Sequence, residues 1–178
     1  YGLEIDMFYK PVKYVRIDAY ASLGDWRWKN DVSTTLYNPD TMRPEGEIKV
    51  YADGLHVGDA PQTQIGASVE LTLPKGISIQ ADWNFNDRLW ADFDPVSRTS
   101  AENRVDSYRI PAYHLLNMGA AWNTKLFDRD FTLFVNLANV TDCSYILRSK
   151  DGVNHDKESF TGYWGNGRSV NFGLRFKI

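Results

Sequence analysis

The sequence predicts an all-β chain whose strands form one antiparallel sheet that spans a membrane as a segment of a β-barrel. Apolar and polar residues alternate along about seven stretches, which is the pattern of strands with two different faces. Short turns alternate strictly with long connections, as periplasmic turns and extracellular loops do. The mean hydropathy of -0.44 and the lack of a long apolar run exclude membrane helices but not strands.

A short turn at Pro11 joins the first two predicted strands. The first runs from Tyr1 to Lys10, and the second starts at Lys13 and extends to Asp31. The second is longer than the ~10 residues that a tilted strand needs to cross a bilayer, so we expect its far half to project beyond the membrane. A long external loop then runs from Val32 to Ala60.

A small hairpin is predicted in this loop, because Asp53-Gly54 separates two short extended stretches. The third strand begins after Pro61 and turns tightly at Pro74-Lys75-Gly76 into the fourth. A polar loop leads from Trp90 to about Arg109. The apolar faces of these two strands are formed by Ile65, Ala67, Val69, Leu71 and Leu73, and by Ile77, Ile79, Ala81, Trp83 and Phe85.

The last three predicted strands complete the sheet. The turn from Phe127 to Asp130 separates the fifth from the sixth, and a third long loop from Leu147 to Asn166 precedes the seventh, which ends at Ile178. Their apolar faces hold Leu116, Met118, Ala120 and Trp122, then Phe131, Leu133, Val135 and Leu137, and finally Val170, Phe172, Leu174, Phe176 and Ile178. No charge falls on this face, which indicates that it meets lipid.

The stretch from Asn136 to Ile146 reads NLANVTDCSYI, and Gly167-Arg168 opens the closing strand about twenty residues later. These segments resemble the C-terminal end of TonB-dependent outer-membrane receptors, whose penultimate strand carries an N-L-x-D-x-x-Y pattern. That family ends in an aromatic residue, whereas here Ile178 is last and Phe176 stands two residues earlier.

The resemblance implies that residues 1–178 are the C-terminal part of a receptor barrel, about seven of roughly 22 strands. It implies a plug domain and further barrel strands upstream of Tyr1, and energy coupling by the TonB system through that plug. The implied function is active import of a scarce nutrient, an iron chelate, cobalamin or a glycan, across the outer membrane of a Gram-negative bacterium. The start at Tyr1, without a methionine or signal peptide, also indicates an upstream segment.

Composition and motifs argue against several other functions. The net charge of -3 provides no basic stripe for nucleic acid, and the single cysteine, Cys143, excludes an internal disulfide. The three histidines are too scattered for a local metal-ligand motif. No nucleophile elbow or phosphate-binding loop occurs. The sequence therefore predicts no catalytic residue, no metal and no cofactor, and the chain is not expected to be an enzyme.

The long loops are expected to supply the ligand contacts, because binding residues concentrate on loops that a rigid scaffold carries. Tryptophan rings provide flat surfaces for stacking on a sugar or chelate ring, and arginines pair with anions. For the aromatic side chains, ordinary loop packing is the alternative role. The candidates are Trp26, Arg27, Trp28, Trp90, Arg98, Trp164 and Arg168.

Two other functions remain open from the sequence. A small self-contained outer-membrane barrel of about eight strands, acting as an adhesin, a structural protein or a membrane enzyme, has a similar length. A soluble β-sandwich that serves as a binding module shows similar alternation. The loop asymmetry favours a barrel over the sandwich.

Overall fold

A computed structural model of the chain describes residues 1–127 and 129–176, which form β-strands and short 3₁₀ turns but no α-helix. Asp128 of the predicted turn, and Lys177 and Ile178 of the predicted last strand, lie outside the described residues. In chain order the strands are β1 (Gly2–Val12), β2 (Val15–Gly24), β3 (Val32–Tyr37), β4 (Pro44–Val50), β5 (Thr63–Leu73), β6 (Ile77–Asp87), β7 (Leu89–Trp90), β8 (Arg109–Ile110), β9 (Tyr113–Leu126), β10 (Arg129–Ala138), β11 (Ile146–Lys150), β12 (Thr161–Trp164) and β13 (Ser169–Phe176).

Seven of these strands form one sheet in the order β1-β2-β5-β6-β9-β10-β13. Every neighbouring pair is antiparallel. This architecture confirms the predicted all-β class and the seven-stranded antiparallel sheet. The sheet is not closed, because β1 and β13 are its two edges.

The connections differ sharply between the two rims of the sheet. At one rim the 3₁₀ turn Pro74–Gly76 joins β5 to β6, and Lys13 and Tyr14 join β1 to β2. Pro11 lies inside β1, so this turn comes slightly later than predicted. The other rim carries three long connections: loop 1 (25–62), loop 2 (88–112) and loop 3 (139–168). They contain the two-stranded ribbons β3-β4, β7-β8 and β11-β12, respectively.

Loop 1 departs from the prediction in two respects. β2 ends at Gly24, so the predicted far half of the second strand does not continue as a strand of the sheet. The turn at Asp53-Gly54 exists, but the residues after it do not pair with 49–51, because the Val57 N–H donates to the Trp26 carbonyl oxygen (3.0 Å). The predicted hairpin is therefore wrong, and the hairpin of this loop is β3-β4.

The apolar face of the main sheet is uncovered. Val69, Leu133 and Phe172 on this face are 37%, 42% and 80% exposed. Among residues 1–127 and 129–176, no second large sheet packs against it. A sandwich buries such a face against a second sheet, whereas a large bare apolar face marks a contact with lipid or protein. The described residues thus favour the membrane interpretation over the soluble sandwich.

The opposite face is mainly polar, and two aromatic rings on it cover glycines. Tyr20 stands directly opposite Gly66 across β2 and β5, and Phe134 stands opposite Gly173 across β10 and β13. A Cβ atom added at Gly66 would lie 2.2 Å from the Tyr20 ring. Covering a strand glycine with a cross-strand aromatic ring shields the backbone that glycine leaves bare.

No helix within the described ranges is long and apolar enough to cross a membrane.

Candidate ligand-binding rim

The buried hydrophobic side chains of the described residues lie in the three loops rather than on the main sheet. One cluster joins loop 1 to loop 2 and consists of Val50, Ala52, Leu55 and Phe93. A second cluster joins loop 2 to loop 3 and consists of Leu89, Ala91, Ile110 and Ile146. The three loops therefore form one packed layer on the rim of the sheet, which we call the loop layer.

Arg98 lies at the centre of the loop layer and is 0% exposed. Its guanidinium donates hydrogen bonds to the carbonyl oxygens of Asn103 (2.5 Å) and Val105 (2.7 Å) and to the Asp151 carboxylate (2.6 Å). Burial lowers the pKa of Arg98, and the charge of Asp151 opposes that shift. Arg98 has no surface left for a ligand, which corrects its predicted role as an anion contact.

Asp151 joins loop 2 to loop 3 through both of its carboxylate oxygens. Oδ2 accepts from Arg98 and lies 2.6 Å from Nδ1 of His155, and Oδ1 accepts from the Tyr108 N–H (3.0 Å). Nε2 of His155 lies 3.2 Å from Nη1 of Arg98. With a hydrogen on Nδ1, the imidazole donates to Asp151, and its Nε2 shares the two Nη1 hydrogens of Arg98 with the carbonyl oxygens of Asn103 and Val105.

Trp90 is also part of the interior, with 8% of its surface exposed. The His56 ring stacks on its indole with the centroids 3.7 Å apart and the planes at 5°. Nδ1 of His56 lies 2.8 Å from the Asp106 carboxylate, so His56 of loop 1 contacts loop 2 through both Trp90 and Asp106. Trp90 therefore has the packing role that was the alternative for the aromatic candidates, and its prediction as a stacking surface is corrected.

Trp26 and Arg27 begin loop 1 and stay partly accessible. The Trp26 N–H donates to the Gln62 side-chain oxygen (3.1 Å), and the Gln62 amide donates back to the Trp26 carbonyl (2.9 Å). Arg27 is anchored by hydrogen bonds to Asp25 (2.9 Å) and to the carbonyl of Gly54 (3.0 Å). The hydrogen bond from Arg27 holds the pKa of Asp25 below its ordinary value.

Trp28 lines an apolar groove that all three loops build. Its indole is 43% exposed and lies 6.2 Å from the Phe93 ring, with the planes tilted by 60°. The groove has a volume of about 420 Å³. Its mouth is polar, because Nζ of Lys150 in loop 3 donates to the Asp92 carboxylate of loop 2 (2.8 Å).

Trp164 and Arg168 belong to loop 3 and face solvent. Trp164 is 69% exposed at the end of β12. Arg168 precedes β13, and its backbone N–H donates to the Asp142 carboxylate (2.8 Å). The accessible candidates are thus Trp26, Arg27, Trp28, Trp164 and Arg168. The sequence contained no signal for Asp92 or Lys150, since single charges in polar loops form no local motif.

Within the part of the chain that the structure describes, no group of three or more histidine, cysteine, aspartate or glutamate side chains is placed to hold a metal ion.

Comparison with known proteins finds relatives in structure but not in sequence. No protein-family model and no curated protein matches the chain. The siderophore receptor PiuA from Acinetobacter baumannii superposes on 97% of this chain with a TM-score of 0.64 and 15% identity. BauA, the ferric preacinetobactin receptor from Acinetobacter baumannii, superposes on 98% of it with a TM-score of 0.56 and 17% identity.

Each match covers 21% of the solved receptor, so this chain spans about a fifth of the length of those proteins. At these identities the likeness concerns the fold. The open seven-stranded sheet and its loops therefore resemble, in fold, a segment of these two receptors.

Proposed function

We propose that this chain is the C-terminal barrel segment of a TonB-dependent receptor that imports a scarce nutrient across the outer membrane of a Gram-negative bacterium. The observation that carries the proposal is the sheet itself, with an uncovered apolar face on one side and a mainly polar face on the other. Such a sheet suits a barrel wall between lipid and an aqueous lumen. The fold shared with two siderophore receptors supports it.

In this proposal the two open edges, β1 and β13, pair with upstream barrel strands of the same receptor. Unpaired backbone groups in hydrocarbon cost several kcal/mol each, so a membrane sheet needs both edges closed. The apolar face contacts outer-membrane lipid, and the polar face lines the lumen around an upstream plug domain. The TonB system acts on the plug.

The loop layer holds the ligand, which is an iron chelate, cobalamin or a glycan. Trp26, Trp28 and Trp164 offer ring faces for stacking, and Arg27 and Arg168 offer guanidinium groups for anionic portions of the ligand. Packing of the loops by Arg98 and Asp151 keeps these side chains in place before the ligand arrives. The proposal gives this chain a transport role and no catalytic step.

A self-contained small barrel that acts as an adhesin, a structural protein or a membrane enzyme is the alternative. The length of 178 residues suits it. Its sheet would close on itself through one further strand, without a plug, and any ligand binding would need no energy source. Energy-dependent uptake distinguishes the two functions.

The experiment measures uptake of labelled ferric chelates, cobalamin and oligosaccharides by cells that express the full-length receptor. We expect uptake of one of these to stop when the TonB system is deleted. We also expect the combined change Trp26→Ala, Trp28→Ala and Trp164→Ala to weaken uptake at equal surface abundance. Phe127→Ala, an exposed aromatic at the opposite rim, is the matched control. Uptake that persists without the TonB system contradicts the proposal.

A further inference from the structure

The groove beside Trp28 has a preformed apolar floor. Val50, Ala52 and Phe93, which line it, are at most 7% exposed and belong to the cluster that joins loop 1 to loop 2. The floor is thus formed by loop packing, before any ligand is present. The volume of about 420 Å³ lies within the ~300–1,000 Å³ of small-molecule sites, near the lower end. A single ring or a branched alkyl group fits this space.

Two aromatic rings in contact line the groove: Trp28, which is partly exposed, and Phe93 of the floor. The rings of Trp28 and Phe93 contact each other, with their centroids 6.2 Å apart and their planes tilted by 60°. Phe93 is held from the interior by the guanidinium of Arg98, which lies 5.0 Å from the Phe93 ring centroid. Aromatic walls contact apolar groups over a large area, and their ring faces also attract cations.

The mouth of the groove carries more negative than positive charge. Lys150 and Asp92 form an ion pair there, with side chains that are 59% and 44% exposed. The hydrogen bond that Lys150 donates to Asp92 raises the pKa of Lys150, and the nearby charges of Asp94 and Asp59 add to that effect. Arg148 also acts on Asp59, so three carboxylates face two cationic side chains, Lys150 and Arg148. Such a surface favours a cationic ligand group over an anionic one.

We infer that this groove is a binding subsite for an aromatic or branched alkyl group that carries an ammonium. The apolar group lies against the exposed surface that Trp28 and Phe93 form together, and the ammonium lies beside Asp92, where it competes with Lys150. The inference rests on the proposed function, because the groove becomes a subsite for the part of the imported ligand that has this chemistry. Its test uses direct binding, so its result is independent of transport.

The experiment is saturation-transfer NMR on the full-length receptor in lipid nanodiscs, at pH 7 and low salt. The two probes share a phenyl ring and differ in charge: 2-phenylethylamine is a cation and 3-phenylpropionate is an anion. We expect the amine to bind with a dissociation constant of about 1 mM, as befits its small size. The propionate should bind about tenfold more weakly, because its charge faces an excess of carboxylates.

Four substitutions test which side chains contact the phenyl ring and which contact the ammonium group of the probe. Trp28→Ala should weaken amine binding about tenfold through the loss of an aromatic wall. Thr34→Trp, which fills the groove from β3 without removing a wall, should abolish it. Asp92→Asn should weaken amine binding and remove most of the preference over the propionate, because the carboxylate that pairs with the probe ammonium is lost. Lys150→Gln should strengthen amine binding a few-fold, because Asp92 becomes available.

Tyr163→Ala removes an exposed aromatic of loop 3 outside the groove and should leave binding of both probes unchanged. The inference is overturned if neither probe binds the wild-type receptor, if both bind equally, or if Thr34→Trp binds the amine as the wild type does. Any of these results, together with TonB-dependent uptake, removes the subsite and leaves the proposed function standing. If no TonB-dependent uptake is found while the amine binds as expected, the proposed function fails and the groove remains a binding site.

Discussion

Arg98 and Asp151 form an ion pair of 2.6 Å that joins loop 2 to loop 3 inside the loop layer, with side chains that are 0% and 2% exposed. Burying two charges is costly, and the cost is offset only when further hydrogen bonds satisfy both groups. Here the Nη atoms of Arg98 also donate to two carbonyl oxygens and the Ser107 hydroxyl, and Asp151 also accepts from a backbone N–H, whereas the buried Nε of Arg98 has no partner among the described residues. The pair therefore holds loop 2 and loop 3 together at the rim of the sheet.

Removing one member of this pair should loosen loops 2 and 3 without affecting the sheet. Arg98→Ala leaves a buried carboxylate without its partner, and the expected loss is about 3–5 kcal/mol of local stability. Hydrogen exchange should show faster exchange of the Tyr108 and Asp151 amides and unchanged protection in β5 and β6. Arg148→Ala, an exposed arginine in β11, is the control. Equal protection in both variants contradicts the assigned role of Arg98.

Protonation of Asp25 at acid pH should loosen the start of loop 1, because Asp25 then loses its ionic hydrogen bond with Arg27. Because Arg27 holds the folded-state pKa of Asp25 below its ordinary value of 3.8, the charged carboxylate stabilises the loop at neutral pH. This stabilisation is lost as the pH falls through the lowered pKa. Tryptophan fluorescence between about pH 5 and pH 2 should report the release, and Asp25→Asn should remove this titration. An unchanged titration in Asp25→Asn would show that another group is responsible.

The flat ring of Tyr20 should make Gly66 intolerant of any side chain. A Cβ at Gly66 would lie 2.2 Å from the ring, so Gly66→Ala must displace the tyrosine, at about 1–3 kcal/mol. In a Tyr20→Ala background the same change should cost less than about 1 kcal/mol. A double-mutant cycle from refolding into lipid measures the difference. Identical costs in the two backgrounds would mean that the ring does not cover Gly66.

The two faces of β5 should respond differently to a new charge. Val69→Arg places a guanidinium in hydrocarbon and should cost about 2–4 kcal/mol near the membrane midplane. Ser68→Arg, one residue away on the polar face, should cost little in a wide lumen. Denaturant titrations of the full-length protein in lipid provide both values. Similar penalties on the two faces would contradict the assignment of the apolar face to lipid.

The seven strands of the main sheet were predictable from the sequence because alternation is a local property. A strand such as Thr63–Leu73 shows its two faces in its own residues, and the turn at Pro74-Lys75-Gly76 marks where it ends. Turn chemistry alone was a weaker guide. Asp53-Gly54 does form a turn, but its flanking residues pair elsewhere in loop 1, because contacts distant in sequence compete with the local hairpin.

The interior of the loop layer was not predictable in the same way. Arg98 and Asp151 are 53 residues apart, and neither belongs to a local pattern that distinguishes a buried arginine from a ligand contact. Trp90 illustrates the same limit, because an isolated tryptophan in a polar loop suits exposure and burial equally well until its partner His56 is known. The groove likewise needs side chains from all three loops.

The proposed function requires that this sheet spans the outer membrane with one face in lipid. Its most direct test is a scan of single spin labels from Gln64 to Thr72 in the full-length protein in bilayers, with collision rates measured for oxygen and for a water-soluble nickel complex. Oxygen collisions should peak at Ile65, Ala67, Val69 and Leu71, with a period of two residues. Collision rates without this alternation, or free access of nickel to these four positions, would contradict the account.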